Sequence, residues 1–214
     1  MTADYLRLFF DCETGGIDST QHTLLTAYFG IYDEQFNLVD ELDLQLKPSD
    51  LSQINCQDEA MRVTGINLET HLADPKTVTY EEGAKLLLAL FERNKVKGKR
   101  KSLRPYGQNI QFDINFVTAQ LIRSDIWSKY VHHNPIDTLR ICTFLQDIGF
   151  LPDNLGKLES MVRHFDLPLG EAHNAKADVK MTMEVYKAMR KMLINMKSNN
   201  LGTISSSLLE IVED

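Results

Sequence analysis

The chain has 214 residues, 43% of them apolar and 25% charged, and a formal net charge of −7. That composition is ordinary for a globular protein, and no run of about 18 apolar residues offers a membrane-spanning helix. The acid excess argues against a protein held on nucleic acid by general basic character, yet it leaves room for an enzyme that reaches phosphates through bound metal.

The length suits one domain with a tail. The start, MTADYLRLFF, has no basic stretch, no long apolar region and no small-residue cleavage site, so no signal peptide is expected. The three cysteines (Cys12, Cys56 and Cys142) are odd in number and far apart. They form neither a disulfide framework nor a C-x-x-C metal site, and the expected location is a reducing, cytoplasmic compartment.

In LRLFFDCE the alternation of a strand puts Leu6, Leu8, Phe10 and Cys12 on one face, and Arg7, Phe9, Asp11 and Glu13 on the other. The spacing of two therefore brings both acids out together at one end of the sheet. Leu24 to Tyr32 and Leu38 to Leu46 read as the next two strands of an antiparallel meander. Thr79 and Glu82 form a capping-box pattern, and Ala84, Leu87, Leu88 and Phe91 follow at helical spacing. Leu103 to Gly107 and Pro135 to Asp137 read as short strands, each before a helix. Leu155, Leu158, Met161, Val162 and Phe165 mark another helix. The last helix starts near Asn174, a good N-cap, and carries Val179, Met183, Tyr186, Met189 and Leu193. Strands first, then strands alternating with helices, predict a mixed sheet flanked by helices. From Lys197 the apolar spacing stops, which predicts a domain over residues 1–197 and a flexible acidic-apolar tail over 198–214.

Three further positions complete a set. Asp113 falls in the first turn of a helix, where the dipole favours a carboxylate. His173 stands on the loop before the last helix, and Asp178 on its first or second turn. Taken singly, each has an ordinary role as a surface acid, a helix-start residue or a loop histidine. Together, four carboxylates from three segments suit two divalent metals clamped across an in-line phosphoryl displacement. Oxygen ligands suit Mg²⁺, and a histidine titrating near neutrality can accept a proton from water.

The motifs Asp11-Cys12-Glu13-Thr14, Gly107-Gln108-Asn109-Ile110-Gln111-Phe112-Asp113 and His173-Asn174-Ala175-Lys176-Ala177-Asp178 resemble, in order and spacing, those of the DEDDh (DnaQ-like) 3′-to-5′ exonucleases. Val63-Thr64-Gly65-Ile66 and Ile136-Asp137-Thr138 are similar to further segments of that family. The resemblance spans roughly residues 5–190. It implies a ribonuclease H-like mixed five-stranded sheet, an antiparallel meander plus parallel strands, with helices on both faces. It implies two Mg²⁺ ions, with Mn²⁺ as substitute, held by Asp11, Glu13, Asp113 and Asp178. It implies His173 as general base, and Thr14, Gly15, Ile17, Asn109 and Phe112 at the substrate. Many members have Thr or Ser where this chain has Gly15. Ile17 has two readings, packing against the terminal nucleotide or packing within its own loop.

The expected activity is release of nucleoside 5′-monophosphates from single-stranded or frayed 3′ ends, DNA slightly ahead of RNA. The alternative is a catalytically weak binding or scaffold module of a replication or repair complex, whose mark would be a damaged set of acids. A polymerase or repair protein is the expected partner class, no membrane contact is expected, and the sequence does not decide the oligomeric state. The run KVKGKRK (95–101) reads as a solvated loop, since it precedes the strand whose far end leads to Asp113. The histidines at 22, 71, 132, 133 and 164 lack ligand spacing and read as structural, with His132 and His133 diverging. The methionines of the last helix read as core, and Asp137 as a structural acid at a strand end.

Overall fold

The computed structural model describes residues 5–99, 101–170 and 174–210, with side chains through residue 195. Six strands form one sheet: β1 (Leu6–Thr14), β2 (Leu24–Tyr32), β3 (Leu38–Lys47), β4 (Thr77–Thr79), β5 (Leu103–Gly107) and β6 (Ile136–Asp137). Their order is β4-β3-β2-β1-β5-β6. β1, β2 and β3 are antiparallel neighbours, while β4, β5 and β6 join in parallel.

The expected sheet thus gains a sixth strand. β4 is three residues long and pairs Gln45–Lys47 through Thr77–Thr79. Thr79, read from sequence only as a helix cap, serves in both roles. Its hydroxyl accepts from the Glu82 N–H, and the Glu82 carboxylate accepts from the Thr79 N–H, closing a capping box on α3 (Tyr80–Arg93).

Helices cover both faces of the sheet. On one face, α3, α4 (Gln111–Phe116) and α5 (Ser124–Tyr130) pack over Leu8, Phe10, Cys12, Phe29 and Leu46. On the other, α8 (Ala175–Glu210) lays Ala175, Val179 and Met183 over Phe9, Tyr28 and Tyr106. The alternation read in β1 is therefore real, and Phe9 is as fully buried as Leu8. Between them lie α1 (Asp58–Thr64), closed by Gly65 in the left-handed region, and α2 (Leu68–Ala73). A third cluster joins α6 (Thr138–Asp147), α7 (Leu158–His164) and the outer face of α8, with Cys142, Leu145, Met161, Met181 and Met189 buried together. Of the last helix's methionines among the described side chains, Met181, Met183 and Met189 are core and Met192 packs at the edge, as their spacing suggests.

Two details differ from the sequence reading. The rings of His132 and His133 do not diverge; they stack with centroids 4.6 Å apart. The backbone of α8 stays helical past Lys197 to Glu210. No proline interrupts 197–210, and Ser and Asn cost only about 0.7 kcal/mol each or less in a helix. No helix of the described residues is long and apolar enough to cross a membrane.

Phe9 ties α8 to the sheet. Its ring stacks on Tyr106 at 4.7 Å and meets Tyr32 edge-on at 5.6 Å and Tyr186 of α8 at 6.4 Å. Phe9→Ala should cost about 3–5 kcal/mol in urea denaturation, well above a substitution at half-exposed Leu38. A loss under about 1 kcal/mol would show that the aromatic group does not anchor the helix.

Candidate metal-dependent nuclease site

The site forms where β5 leaves β1. The two strands pair from Leu6↔Leu103 to Phe9↔Tyr106. Beyond Phe9 the β5 side of β1 has no strand partner. A buried N–H there needs an acceptor, and Asp113 supplies it: the Cys12 N–H donates to Asp113 Oδ1 at 3.0 Å. Asp113 is buried in the first turn of α4 and so is pinned to the backbone between Asp11 and Glu13.

Asp11 and Glu13 leave β1 on the α8 face. Asp178 comes down from α8 to meet them, and the three carboxylates present oxygens that all lie within 4.8 Å of one another. The register of α8 is set locally. The Asn174 side chain accepts from the Ala177 N–H at 3.2 Å, as an N-cap should. Lys176 pairs with Glu41 of β3 at 2.8 Å and lies over the Tyr28 ring, whose hydroxyl also donates to Glu41 at 2.6 Å. These anchors on β2 and β3 hold the first turn of α8 against the sheet.

The electrostatics of the group are unbalanced. Burial, then Asp113, Glu13 and Asp178, push the Asp11 carboxyl well above its ordinary range. Burial and Asp178 raise Glu13 to about 7. Burial raises Asp113 as well, although the hydrogen bonds from Cys12 oppose that. Among the described residues, the charged neighbours that raise Asp11 and Glu13 are other acids. An all-oxygen, partly buried donor set fits hard divalent metals such as Mg²⁺ or Mn²⁺.

The predicted substrate residues lie on the two segments that follow Glu13 and precede Asp113. Thr14 is buried and donates to the Gly16 carbonyl at 2.7 Å. Gly15 has a steric reason: a Cβ there would stand 2.5 Å from Cys56 Sγ and 2.8 Å from the Asn55 carbonyl. The segment before α1 thus occupies the room that a Thr or Ser would need. Ile17 is 81% exposed, so it is not packed within its own loop. Asn109 has a φ of 54°, which Asn tolerates better than most residues. Its N–H donates to Asp137 Oδ1 at 2.9 Å, and the same oxygen accepts from the Leu139 N–H at the start of α6. Asp137 is therefore a structural acid that ties the loop before Asp113 to a helix start. Phe112 is half-buried and packs on Phe116, 4.9 Å between centroids. His173, the predicted base, lies outside the described residues. The run 95–101 sits before β5, at the end of the sheet opposite the acids, and Lys95, Lys97 and Lys99 are exposed there.

Sequence reasoning missed two supporting elements. Lys176 and Glu41 are 135 residues apart, and no local pattern links them. The segment Asn55-Cys56 against Gly15 was signalled only by the unexpected glycine.

The strand order and the helices on both faces define a ribonuclease H-like fold. Among the solved structures that share it are exonucleases I. One, whose description concerns how processivity is achieved, superimposes with a TM-score of 0.69 at 21% identity, over 92% of this chain and 44% of that one. The zinc-bound E. coli exonuclease I–ssDNA complex gives 0.70 at 23%, over 89% and 41%. A moderately thermophilic exonuclease I from Methylocaldum szegediense gives 0.66 at 22%, over 87% and 40%. The chain thus spans less than half the length of these relatives. No family model and no curated protein sequence matches it.

Two outcomes follow. Gly15→Thr should destabilise the protein by about 1–3 kcal/mol in urea, from overpacking against the 55–56 backbone. An unchanged midpoint would mean that the segment moves aside freely. The raised acids also set a sign. Groups protonated more readily in the fold than in the unfolded chain stabilise below their unfolded pKa, and that stability is lost as pH rises through the folded value. In EDTA, the melting temperature should therefore fall between about pH 4.5 and 7, and Glu13→Gln should flatten that fall. Identical slopes in both proteins would remove Glu13 as a contributor.

Proposed function

We propose that this chain is a metal-dependent 3′-to-5′ exonuclease. It removes nucleotides from single-stranded or frayed ends and releases nucleoside 5′-monophosphates. The observation that carries the reading is the convergence of Asp11, Glu13 and Asp178 within 4.8 Å on this fold, with Asp113 fixed beside them.

Asp11, Glu13 and Asp178 would hold the first of two Mg²⁺ ions, and Asp11 with Asp113 the second, with Mn²⁺ as substitute. Bound there, the ions supply Lewis acidity toward the phosphate and lower the pKa of water. The protein's part is positional. β1 presents two acids on one face, α8 presents the third, and the Cys12 N–H fixes Asp113. His173, which precedes α8 in the sequence, takes the proton of the attacking water. Ile17 meets the terminal nucleotide, with Thr14, Gly15, Asn109 and Phe112 around it. An exposed isoleucine at the tip of a loop beside an acid cluster supports that role better than loop packing does.

DNA is the favoured substrate. Its support is the solved exonuclease I complexes with single-stranded DNA and deoxyoligonucleotides. A replication or repair partner is supported by the solved ExoI/SSB-Ct complex.

The test uses 5′-labelled DNA and RNA strands of one sequence in Mg²⁺, Mn²⁺ or EDTA. The expected result is a metal-dependent ladder shortening from the 3′ end, stronger on DNA and absent in Asp11→Ala. Cleavage that survives in Asp11→Ala would reject the reading. His173→Asn should lower the rate at neutral pH and remove the fall in activity expected of the parent as pH drops; an unchanged acid limb at full activity would take His173 out of the mechanism.

A further inference from the structure

After Phe116 the helix that carries Asp113 does not end or continue regularly. Residues Val117–Leu121 form a π turn, marked by the Ile122 N–H donating to the Val117 carbonyl at 2.9 Å, five residues back. Such turns hold one extra residue and occur often at functional sites. One extra residue turns the following side chains by about 100° around the axis. The residue so placed is Gln120.

Gln120 makes four hydrogen bonds, none of them within its own helix. Its Nε2 donates to the Ser19 carbonyl at 2.8 Å and to the His22 carbonyl at 2.6 Å. Its Oε1 accepts from the Leu24 N–H at 3.0 Å and from the Tyr80 hydroxyl at 2.9 Å. The amide therefore grips both ends of the 19–22 turn and the start of β2 at once. That turn is already closed on itself. The His22 N–H donates to the Asp18 carbonyl at 2.8 Å, and the Asp18 N–H donates to His22 Nδ1 at 3.0 Å. Ile17 stands next to Asp18, exposed at the tip.

We infer that Gln120 is a positioning residue that locks the Ile17 loop to the helix bearing Asp113, so that terminal-nucleotide contact and metal site share one rigid frame. This rests on the exonuclease reading. The physical reason is economy of degrees of freedom. A loop that contacts substrate through one exposed side chain must not drift, because misplacement by about 1 Å can cost a hundredfold in rate. The Asp18–His22 bonds fix the shape of the turn, and the two Nε2 bonds fix its place against the helix.

Gln120→Glu separates the two halves of the grip. It keeps an acceptor for Leu24 and Tyr80 and removes the donors to Ser19 and His22. The expected result is a rise in KM or fall in kcat on a single-stranded DNA 3′ end of about tenfold, with the Mn²⁺-induced rise in melting temperature unchanged. Combined with Ile17→Ala, it should add no further loss, since both remove the same contact. Losses that simply multiply in the double variant would overturn the inference. So would unchanged kinetics in Gln120→Glu, or a diminished Mn²⁺ shift, which would make Gln120 a support of the fold at large. A parent protein inert toward DNA in both metals would instead overturn the exonuclease reading, and this inference with it.

Discussion

The hydrogen bond from the Cys12 N–H to Asp113 is the contact on which the site depends. A parallel neighbour that followed β1 to its end would satisfy that N–H and would also fill the space beside the acids. β5 instead parts from β1 after Phe9 and Tyr106. The parting leaves one buried donor and one opening. A single carboxylate from α4 answers the first and borders the second, so a requirement of backbone chemistry also sets the position of the fourth acid.

The rest of the architecture holds acids together against their repulsion. Burial and mutual charge raise Asp11, Glu13 and Asp113, all in the same direction. Left alone, such a group would push α8 away from β1. The aromatic packing of Phe9, Tyr106 and Tyr186 resists this on the apolar side. Lys176, Glu41 and Tyr28 resist it at the first turn of the helix. Divalent cations held there would reverse the sign of the local field.

Much of this was legible in the sequence because it is local. The two faces of β1, the Asn174 cap and the capping box at Thr79 are each set by residues a few positions apart. The acids were legible as a set because three short motifs carry them in a recognisable order. The edge strand β4 was hidden because three residues carry no periodic signal, and Thr79 was already explained as a cap. The stacked His132–His133 rings follow from a loop geometry that no alternation rule describes. The close approach at Gly15 and the grip of Gln120 depend on segments about 40 and 100 residues away, and a π turn shifts the face that regular spacing would assign. Ile17 was ambiguous in sequence because exposure is a property of the surroundings, not of the residue.

The single tryptophan, Trp127, has a consequence for how this molecule can be observed. It is buried against Phe10 and Phe91, with ring centroids 5.6 and 5.7 Å away, on the face of β1 opposite the acids. Its emission therefore monitors the layer built by α3 and α5. The acid cluster and α8 lie across the sheet, behind the backbone of β1, so the indole reports on the scaffold layer and is shielded from that other face.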